Sequence, residues 1–347
     1  MRVIAAVLAI AGISGSAHAQ PGYPSRAVTL IVASAFLFLA AVAATAGAQT
    51  YPTKAIRMLV GFPVGGGADV AARALGPRMS ESLGQQIIVD NRPGAGSAIA
   101  SEIAAKAVPD GHTLVTIGSS HAVNAAMYPN LPYAPAAGFS GIVIVSTAPV
   151  VITANPAVPA RNLKELIALA RARPGQLNYG SAGVNGINHL AAELLKRVAN
   201  FDITLVPYKG VAQALPALMA GEVQLMFASL PGSIGQINSG RIRAIAVTSA
   251  KRSGSAPDIP TVAESGVAGY EASSWFAMLA PVGTPKSIIT KLNTEALKVL
   301  QMREVQESLI RQGMDPAGST PGEVDAYLRS EIAKWTRVVR EAGIRAE

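Results

Sequence analysis

Short β-branched segments alternate with helical segments along most of this chain. The first pair is a strand at residues 55–60 followed by a helix that starts near Val70, and the same order recurs as far as residue 247. Such alternation is typical of α/β folds, in which a parallel sheet carries helices on its faces. Ligands of these sheets bind beyond the carboxyl ends of the strands. The pattern therefore predicts where a binding site should lie.

Two long apolar stretches, residues 143–154 and 275–280, interrupt this alternation. We interpret them as crossings by which the chain leaves a first domain and later returns to it. The sequence then predicts two α/β lobes joined by a two-strand hinge, with a cleft between them. One lobe would contain residues 49–150 together with 272–347, and the other would contain residues 151–271.

The first 48 residues have the pattern of an export region. An apolar run after Arg2 ends in Ala17-His18-Ala19, which is a secretory signal with its cleavage motif. A second apolar run, residues 28–48, also ends in a cleavage motif, and it is long enough to just span a bilayer. This second run is either another cleaved signal or a retained membrane anchor, and the sequence alone is compatible with both. We predict export and a mature N-terminus at Gln49.

Composition excludes several kinds of site. The chain has no cysteine, so disulfides, thiolate metal sites and cysteine nucleophiles are ruled out. From Gln49 onward, 27 basic residues face 21 acidic ones, and they form no run with interleaved aromatic residues. This favours mild attraction for small anions and predicts no nucleic-acid surface.

A glycine-rich turn, Gly65-Gly66-Gly67, separates the first strand from the first helix. Glycine lets a backbone approach a ligand closely, and a helix start presents unpaired amides at the positive end of its dipole. We predict an anion cradle here with Asp69 as the helix N-cap; a tight turn without a ligand is the alternative. The glycines match neither phosphate-loop nor dinucleotide motifs, because Val70 stands where G-x-G-x-x-G needs its last glycine. We expect no cofactor, although Asp90 ends the next strand where a dinucleotide site would have its acid.

No complete set of catalytic residues stands out. The stretch at 179–183 resembles a nucleophile elbow around Ser181, but tyrosine replaces its first glycine. His121 or His189 could serve Ser119 or Ser181 as a base, yet no acidic partner is evident. The histidines after Gln49 lack the spacing of a metal site. An exported α/β hydrolase is kept as the alternative to a protein that only binds.

Nine short stretches, in order over residues 51–345, resemble the solute-binding receptors of tripartite tricarboxylate transporters, the TctC-like or Bug-type proteins. Each stretch is weakly specific by itself, and the set is specific because it covers nearly the whole chain. The stretches are residues 51–57, 62–69, 91–96, 109–114, 179–183 with 189–191, 206–210, 260–266, 274–276 and 280–285.

The resemblance implies a type II, Venus-flytrap periplasmic binding protein with two doubly wound sheets. Such a protein closes on a small carboxylated solute and delivers it to membrane permease subunits, here as a monomer without catalytic activity. In the family, the glycine-rich loop and a serine-bearing loop of the other lobe hold the ligand carboxylate. The ligand-binding residues implied here are Phe62, Pro63, Gly66, Gly67, Asp69, Ser119, His121, Ser181, Ala182, Gly183, His189 and Lys209.

The chain departs from the family pattern at three places. Ala68 stands where threonine or serine is usual, Asn185-Gly186 where glycine precedes serine or threonine, and Ala228-Ser229 where an Asp-Asn pair is common. Each change removes or moves a polar contact, so the identity of the solute stays open.

Overall fold

The structure is a computed structural model that describes residues 51–182, 186–208 and 211–344. The predicted export region and mature N-terminus lie outside the described residues, and so do Gly183 and Lys209. Within those ranges, no helix is both long enough and apolar enough to cross a membrane.

Strands and helices alternate through the described chain, as the sequence predicts. The strands are β1 Ile56–Val60, β2 Ile87–Asn91, β3 Thr113–Gly118, β4 Phe139–Ala154, β5 Asn178–Ala182, β6 Thr204–Tyr208, β7 Leu225–Ser229, β8 Arg243–Val247, β9 Ser273–Pro281 and β10 Asp315–Pro316. The helices are α1 Gly67–Leu83, α2 Ala98–Ala105, α3 Ser119–Met127, α4 Leu163–Ala172, α5 Ile187–Ala199, α6 Val211–Ala220, α7 Leu230–Asn238, α8 Lys286–Leu300, α9 Arg303–Arg311 and α10 Pro321–Ala342.

The strands form one mixed sheet in the order β2-β1-β3-β9-β4-β7-β5-β6, with β8 and β10 paired to β4. Strand β1 is parallel to β2 and β3, and β5 is parallel to β6 and β7. Each parallel group therefore lies at one end of the sheet, with β9 and β4 between them. The family resemblance implies two doubly wound sheets. In the structure they are the two halves of one sheet, joined through the long strand β4.

Strand β4 changes partners part way along its length. Residues from Phe139 to Pro149 pair with β9, whereas Val150 to Ala154 pair with β7. We call the part of the sheet built from β1, β2, β3, β9, β10 and the start of β4 the first lobe. The second lobe contains β5 to β8 and the end of β4. The apolar stretch at residues 143–154 is thus the crossing that its composition predicts.

The second crossing is held to the first by the Thr248 side chain, which is fully buried. Its hydroxyl donates to carbonyl oxygens of Val150, at 2.9 Å, and Ala272, at 2.7 Å, while the Val150 amide donates to the same hydroxyl at 3.1 Å. Ala272 directly precedes β9. One threonine therefore ties together the two places where the chain passes between lobes.

The C-terminal helix α10 is capped at its start and anchored to β9 in its middle. Thr320 and Glu323 form a reciprocal capping box at its start. Further along, the indole nitrogens of Trp275 and Trp335 donate to one carboxylate oxygen of Glu331 at 2.9 and 3.0 Å. Glu331 also pairs with Lys334, so this buried carboxylate is neutralised where α10 packs on β9.

Two helices, α7 and α9, lie where the sequence predicts no element. Helix α7 contains Pro231, Gly232 and Gly235, which lower helix propensity. Helix α9 is short and mostly polar, but Val305 and Leu309 bury one face of it. Packing against neighbouring elements stabilises both helices where local propensity does not.

Candidate functional site

The carboxyl ends of the parallel strands face each other across the hinge. Strands β3 and β7 are antiparallel to β9 and β4 respectively, and β9 is antiparallel to β4. It follows that β3 and β7 run toward each other from opposite lobes. Their ends are level with the crossing, because Gly118 lies opposite Phe276 and Ser229 lies opposite Val150. A site between the lobes is therefore lined by the loops that follow these strands.

The glycine-rich loop belongs to the first lobe and leads from β1 into α1. The Gly66 amide donates to the Pro63 carbonyl at 3.0 Å, which closes a tight turn, and Gly65 has φ of +83°. The helix begins with Gly66 as its N-cap, and Val70 donates to the Gly66 carbonyl at 2.9 Å. The amides from Gly67 to Asp69 are those that a helix leaves without an internal acceptor. They provide the donors that the sequence predicts for an anion cradle.

Asp69 is not the N-cap, because it is the third residue of the helix and its side chain turns back behind the loop. The buried carboxylate accepts from the Gly65 amide, from Arg73 and from Asn91, each at 2.9 Å. Burial by itself would raise the pKa of Asp69, but these hydrogen bonds and the Arg73 charge outweigh burial and lower it. Asp69 therefore stabilises the loop conformation, and its carboxylate is occupied by donors of the protein and not by a solute.

Gly67 lies directly beneath the ring of Phe276, a residue of β9. A Cβ atom at position 67 would stand 2.2 Å from Cζ of that ring, which is far inside van der Waals contact. The same ring would be 3.2 Å from a Cβ atom at Gly118, at the end of β3. Because Gly67 and Gly118 have no side chains, the Phe276 ring can pack against both of them and line the site.

The predicted serines lie at different kinds of position, Ser119 at a helix start in the first lobe and Ser181 within a strand of the second. Ser119 is buried at the first turn of α3, directly after β3, and no described residue hydrogen-bonds its hydroxyl. Ser181 lies on β5 opposite Phe227 of β7, fully buried, and its Oγ lacks a hydrogen-bond partner. Buried hydroxyls without partners are uncommon, and they are satisfied when a ligand or water binds.

His121 lies inside the first lobe, with no exposed surface. Its Nδ1 is 3.1 Å from the Ser101 hydroxyl and its Nε2 is 2.8 Å from the Pro135 carbonyl oxygen. Burial lowers its pKa to about 4, although the Pro135 hydrogen bond acts in the opposite direction. Both ring nitrogens are thus engaged by protein, which leaves none for a solute. The imidazole has no hydrogen bond to Ser119, the partner that a hydrolase would require.

His189 lies in the first turn of α5 and belongs to a chain of polar contacts. Its Nδ1 is 2.8 Å from the Tyr179 hydroxyl, which donates to Glu193 at 3.0 Å, and Lys196 pairs with Glu193 at 3.0 Å. Burial lowers the pKa of His189. Neither histidine is bonded to Ser181, and no group of three acidic or histidine side chains in the described chain could hold a metal ion.

The other predicted residues lie in the glycine-rich loop, at the end of β5, or outside the residues that the structure describes. Phe62 is half-buried, and its carbonyl accepts from Asn91 at 3.0 Å. Pro63 is exposed at the tip of the loop. Ala182 ends β5. Gly183 and Lys209 lie outside the described residues.

A cavity of about 750 Å³ opens beside the glycine-rich loop. Gly65, Gly67 and Phe276 line it from the first lobe, and Ser229 and Ile234 line it from the second. It is therefore an interlobe space that reaches the cradle.

Ser229, the N-cap of α7, is a lining residue that sequence reasoning missed as a contact. A serine followed two residues later by proline is a recognised helix start, so this pair could have located α7. Phe276 lies in the stretch at residues 274–276 that carries part of the family resemblance. Nothing local indicates that its ring lies over Gly67, because the two residues meet only through the sheet.

A two-lobed α/β fold with a loop-lined site at the hinge is characteristic of periplasmic binding proteins. The chain belongs to the tripartite tricarboxylate transporter receptor family (TctC), whose family model matches residues 71–344. BugT of Bordetella pertussis is 37% identical over 90% of this chain and 97% of its own length.

Solved structures show the same relationship. Rpa4515 of R. palustris, determined with adipate, is 37% identical, covers 85% of this chain and 99% of its own, and has a TM-score of 0.71. MatC of Rhodopseudomonas palustris, determined with bound malate, is 30% identical, covers 83% of this chain and 100% of its own, and has a TM-score of 0.67.

Proposed function

We propose that this protein is a periplasmic receptor that captures a small carboxylate between its lobes and delivers it to a tripartite tricarboxylate-type permease. The observation that carries the proposal is the pair of facing strand ends, with unpaired amides at the start of α1 on one side. Relatives with adipate and malate support a carboxylate as the solute class. The lobe boundaries at residues 150 and 271, a monomeric state and the mature start at Gln49 are parts of the same proposal.

In this proposal the solute carboxylate accepts hydrogen bonds from the amides of Gly67 to Asp69 and from Ser119. The second lobe contributes Ser181 and Ala182 of β5, together with Gly183, which lies outside the described residues. A helix-terminus contact with an exposed charge contributes only about 0.3–1 kcal/mol. Micromolar binding corresponds to about −8 kcal/mol, so both lobes have to contribute. A solute that touches both lobes favours the closed arrangement and shifts the population toward it.

Binding without catalysis is favoured over the hydrolase alternative by the histidines. Ser101 is bonded to His121, but both residues are buried in the first lobe, and neither lines the interlobe cavity. Neither Ser119 nor Ser181 has a histidine partner among the described residues. A general base within hydrogen-bond reach of the nucleophile is the first requirement for this chemistry.

A thermal-shift screen of residues 49–347 tests the proposed function. The panel contains dicarboxylates, tricarboxylates, acidic amino acids, aromatic acids and neutral sugars at equal ionic strength. We expect stabilisation by at least one carboxylate and by no sugar. Stabilisation by a sugar, with no response to any carboxylate, would contradict the proposal.

A further inference from the structure

The interlobe cavity continues from the glycine-rich loop into a region where apolar side chains outnumber the polar ones, which are Ser229, Ser255, Arg311 and Gln312. Val70, Phe276, Ile310 and Met314 line it from the first lobe, and Leu230 and Ile234 line it from the second. Its volume of about 750 Å³ lies within the range of small-molecule sites. A solute whose carboxylate is held at the start of α1 would therefore project its body among these side chains.

Charge is confined to one place in the lining described here. Arg311 is the one lining residue with a formal charge, and its side chain is 68% exposed. Its partner Glu307 lies 3.8 Å away and is also held by Arg303 at 2.7 Å. The guanidinium therefore stands in solvent at the rim, and the interior surface formed by Leu230, Ile234 and Phe276 offers no charge to a polar body.

The two kinds of carboxylate differ in what they would bury in this region. A compact hydroxy acid would place both a hydroxyl group and its nearby second carboxylate against apolar side chains, where unpaired polar groups are costly to desolvate. A longer diacid instead places its methylenes there, and its far carboxylate is carried toward the rim, where the exposed Arg311 guanidinium stands. An alkyl chain or ring would instead gain from burial, with about a four-fold rise in affinity for each methylene removed from water.

We infer that this receptor selects carboxylates with an apolar body, such as an alkyl chain or a ring, over compact hydroxy acids. The inference rests on the proposed function and names the solute class for the same site. The apolar cavity acts as the specificity pocket, and Ile234 of α7 is one of its second-lobe lining residues.

Calorimetric titration of residues 49–347 with succinate, adipate, suberate and malate tests this inference. The first three acids differ only in their number of methylenes. We expect affinity to rise at least ten-fold from succinate to adipate, and malate to bind no more tightly than succinate. Tighter binding of malate or succinate than of adipate and suberate would overturn the inference while the proposed function stands. Absence of binding by all four acids would overturn the inference, and the broader panel of the thermal-shift screen then decides whether the proposed function stands.

A pair of variants tests whether the cavity itself is responsible. Ile234→Trp fills the cavity, whereas Asn238→Trp adds the same side chain at the exposed end of the same helix. We expect Ile234→Trp to reduce adipate and suberate affinity at least ten-fold with succinate nearly unchanged, and Asn238→Trp to leave all affinities unchanged. Circular dichroism and melting temperature check that both variants fold. An equal loss for short and long acids in Ile234→Trp would contradict the inference.

Discussion

The ring of Phe276 covers Gly67 so closely that a Cβ atom at position 67 would lie 2.2 Å from Cζ. Gly67 is the first residue of α1, and Phe276 comes from β9, the strand that returns the chain to the first lobe. The contact therefore sets the position of the amide-bearing helix start relative to the hinge. It also explains why this position needs glycine although its backbone is ordinary for a helix.

Gly67→Ala should displace the Phe276 ring into the site and reduce carboxylate affinity about ten-fold or more, equivalent to roughly 1.4 kcal/mol. Phe276→Ala removes the obstruction, so the double variant should lose less than the sum of the single losses. Titration of all four proteins gives the coupling, expected at about 0.5–3 kcal/mol. Gly235→Ala is the control, because a Cβ atom there meets nothing within 4 Å. Additive losses would mean that the contact does not govern the site.

Asp69→Asn should destabilise the loop by about 1–3 kcal/mol, because the buried carboxylate is the shared acceptor of three donors and Arg73 loses its charge partner. The pKa of Asp69 is lowered in the folded state. Its stabilisation is therefore complete above the ordinary aspartate pKa of about 3.9 and is lost as pH falls through the lower folded value.

Denaturant unfolding of wild type and Asp69→Asn across acidic pH measures this difference. The gap between the two proteins should be constant near neutrality and close at low pH. Asp258→Asn, at an exposed loop position, provides the control and should track wild type. A gap that persists unchanged to the lowest pH would show that the charge of Asp69 does not stabilise the loop.

His121→Gln should weaken the pH dependence of stability between about pH 6.5 and 4. The buried imidazole has a folded-state pKa of about 4, below the unfolded value of about 6.5. Since the unfolded chain then binds more protons, its contribution is complete above the unfolded pKa and lost as pH falls toward 4.

The change in slope is the readout for His121→Gln. His189 also has a lowered pKa, so the variant should reduce the slope without abolishing it. Equilibrium unfolding at several pH values in this window gives the measurement. Parallel curves for the two proteins would contradict the burial of a neutral His121.

Much of the fold could be predicted because its signals are local. The alternation of apolar strands and helices predicts the parallel groups at the two ends of the sheet. The run at 143–154 predicts the crossing strand β4 because it is apolar and rich in β-branched residues, which favours a buried strand over a buried helix. The glycine triplet predicts a loop at a helix start for a similarly local reason.

The roles of individual site residues depend on contacts between distant elements, so sequence patterns could not assign them. The three loop glycines look equivalent in sequence, yet Gly65 adopts a positive φ, Gly66 is the N-cap and Gly67 accommodates Phe276. Asp69 has the residue type of an N-cap but bonds backward to the loop. His121 follows a cleft strand, but the α3 backbone turns its ring into the lobe interior.

Calorimetric titration of residues 49–347 with adipate and with its uncharged diamide, adipamide, tests the central claim most directly. The two molecules share an apolar body and differ in the carboxylates that the start of α1 is proposed to hold. The account predicts micromolar binding of adipate and no binding of adipamide up to about 1 mM, a difference of roughly 4 kcal/mol or more. Equal affinity for the two would show that the site does not recognise a carboxylate.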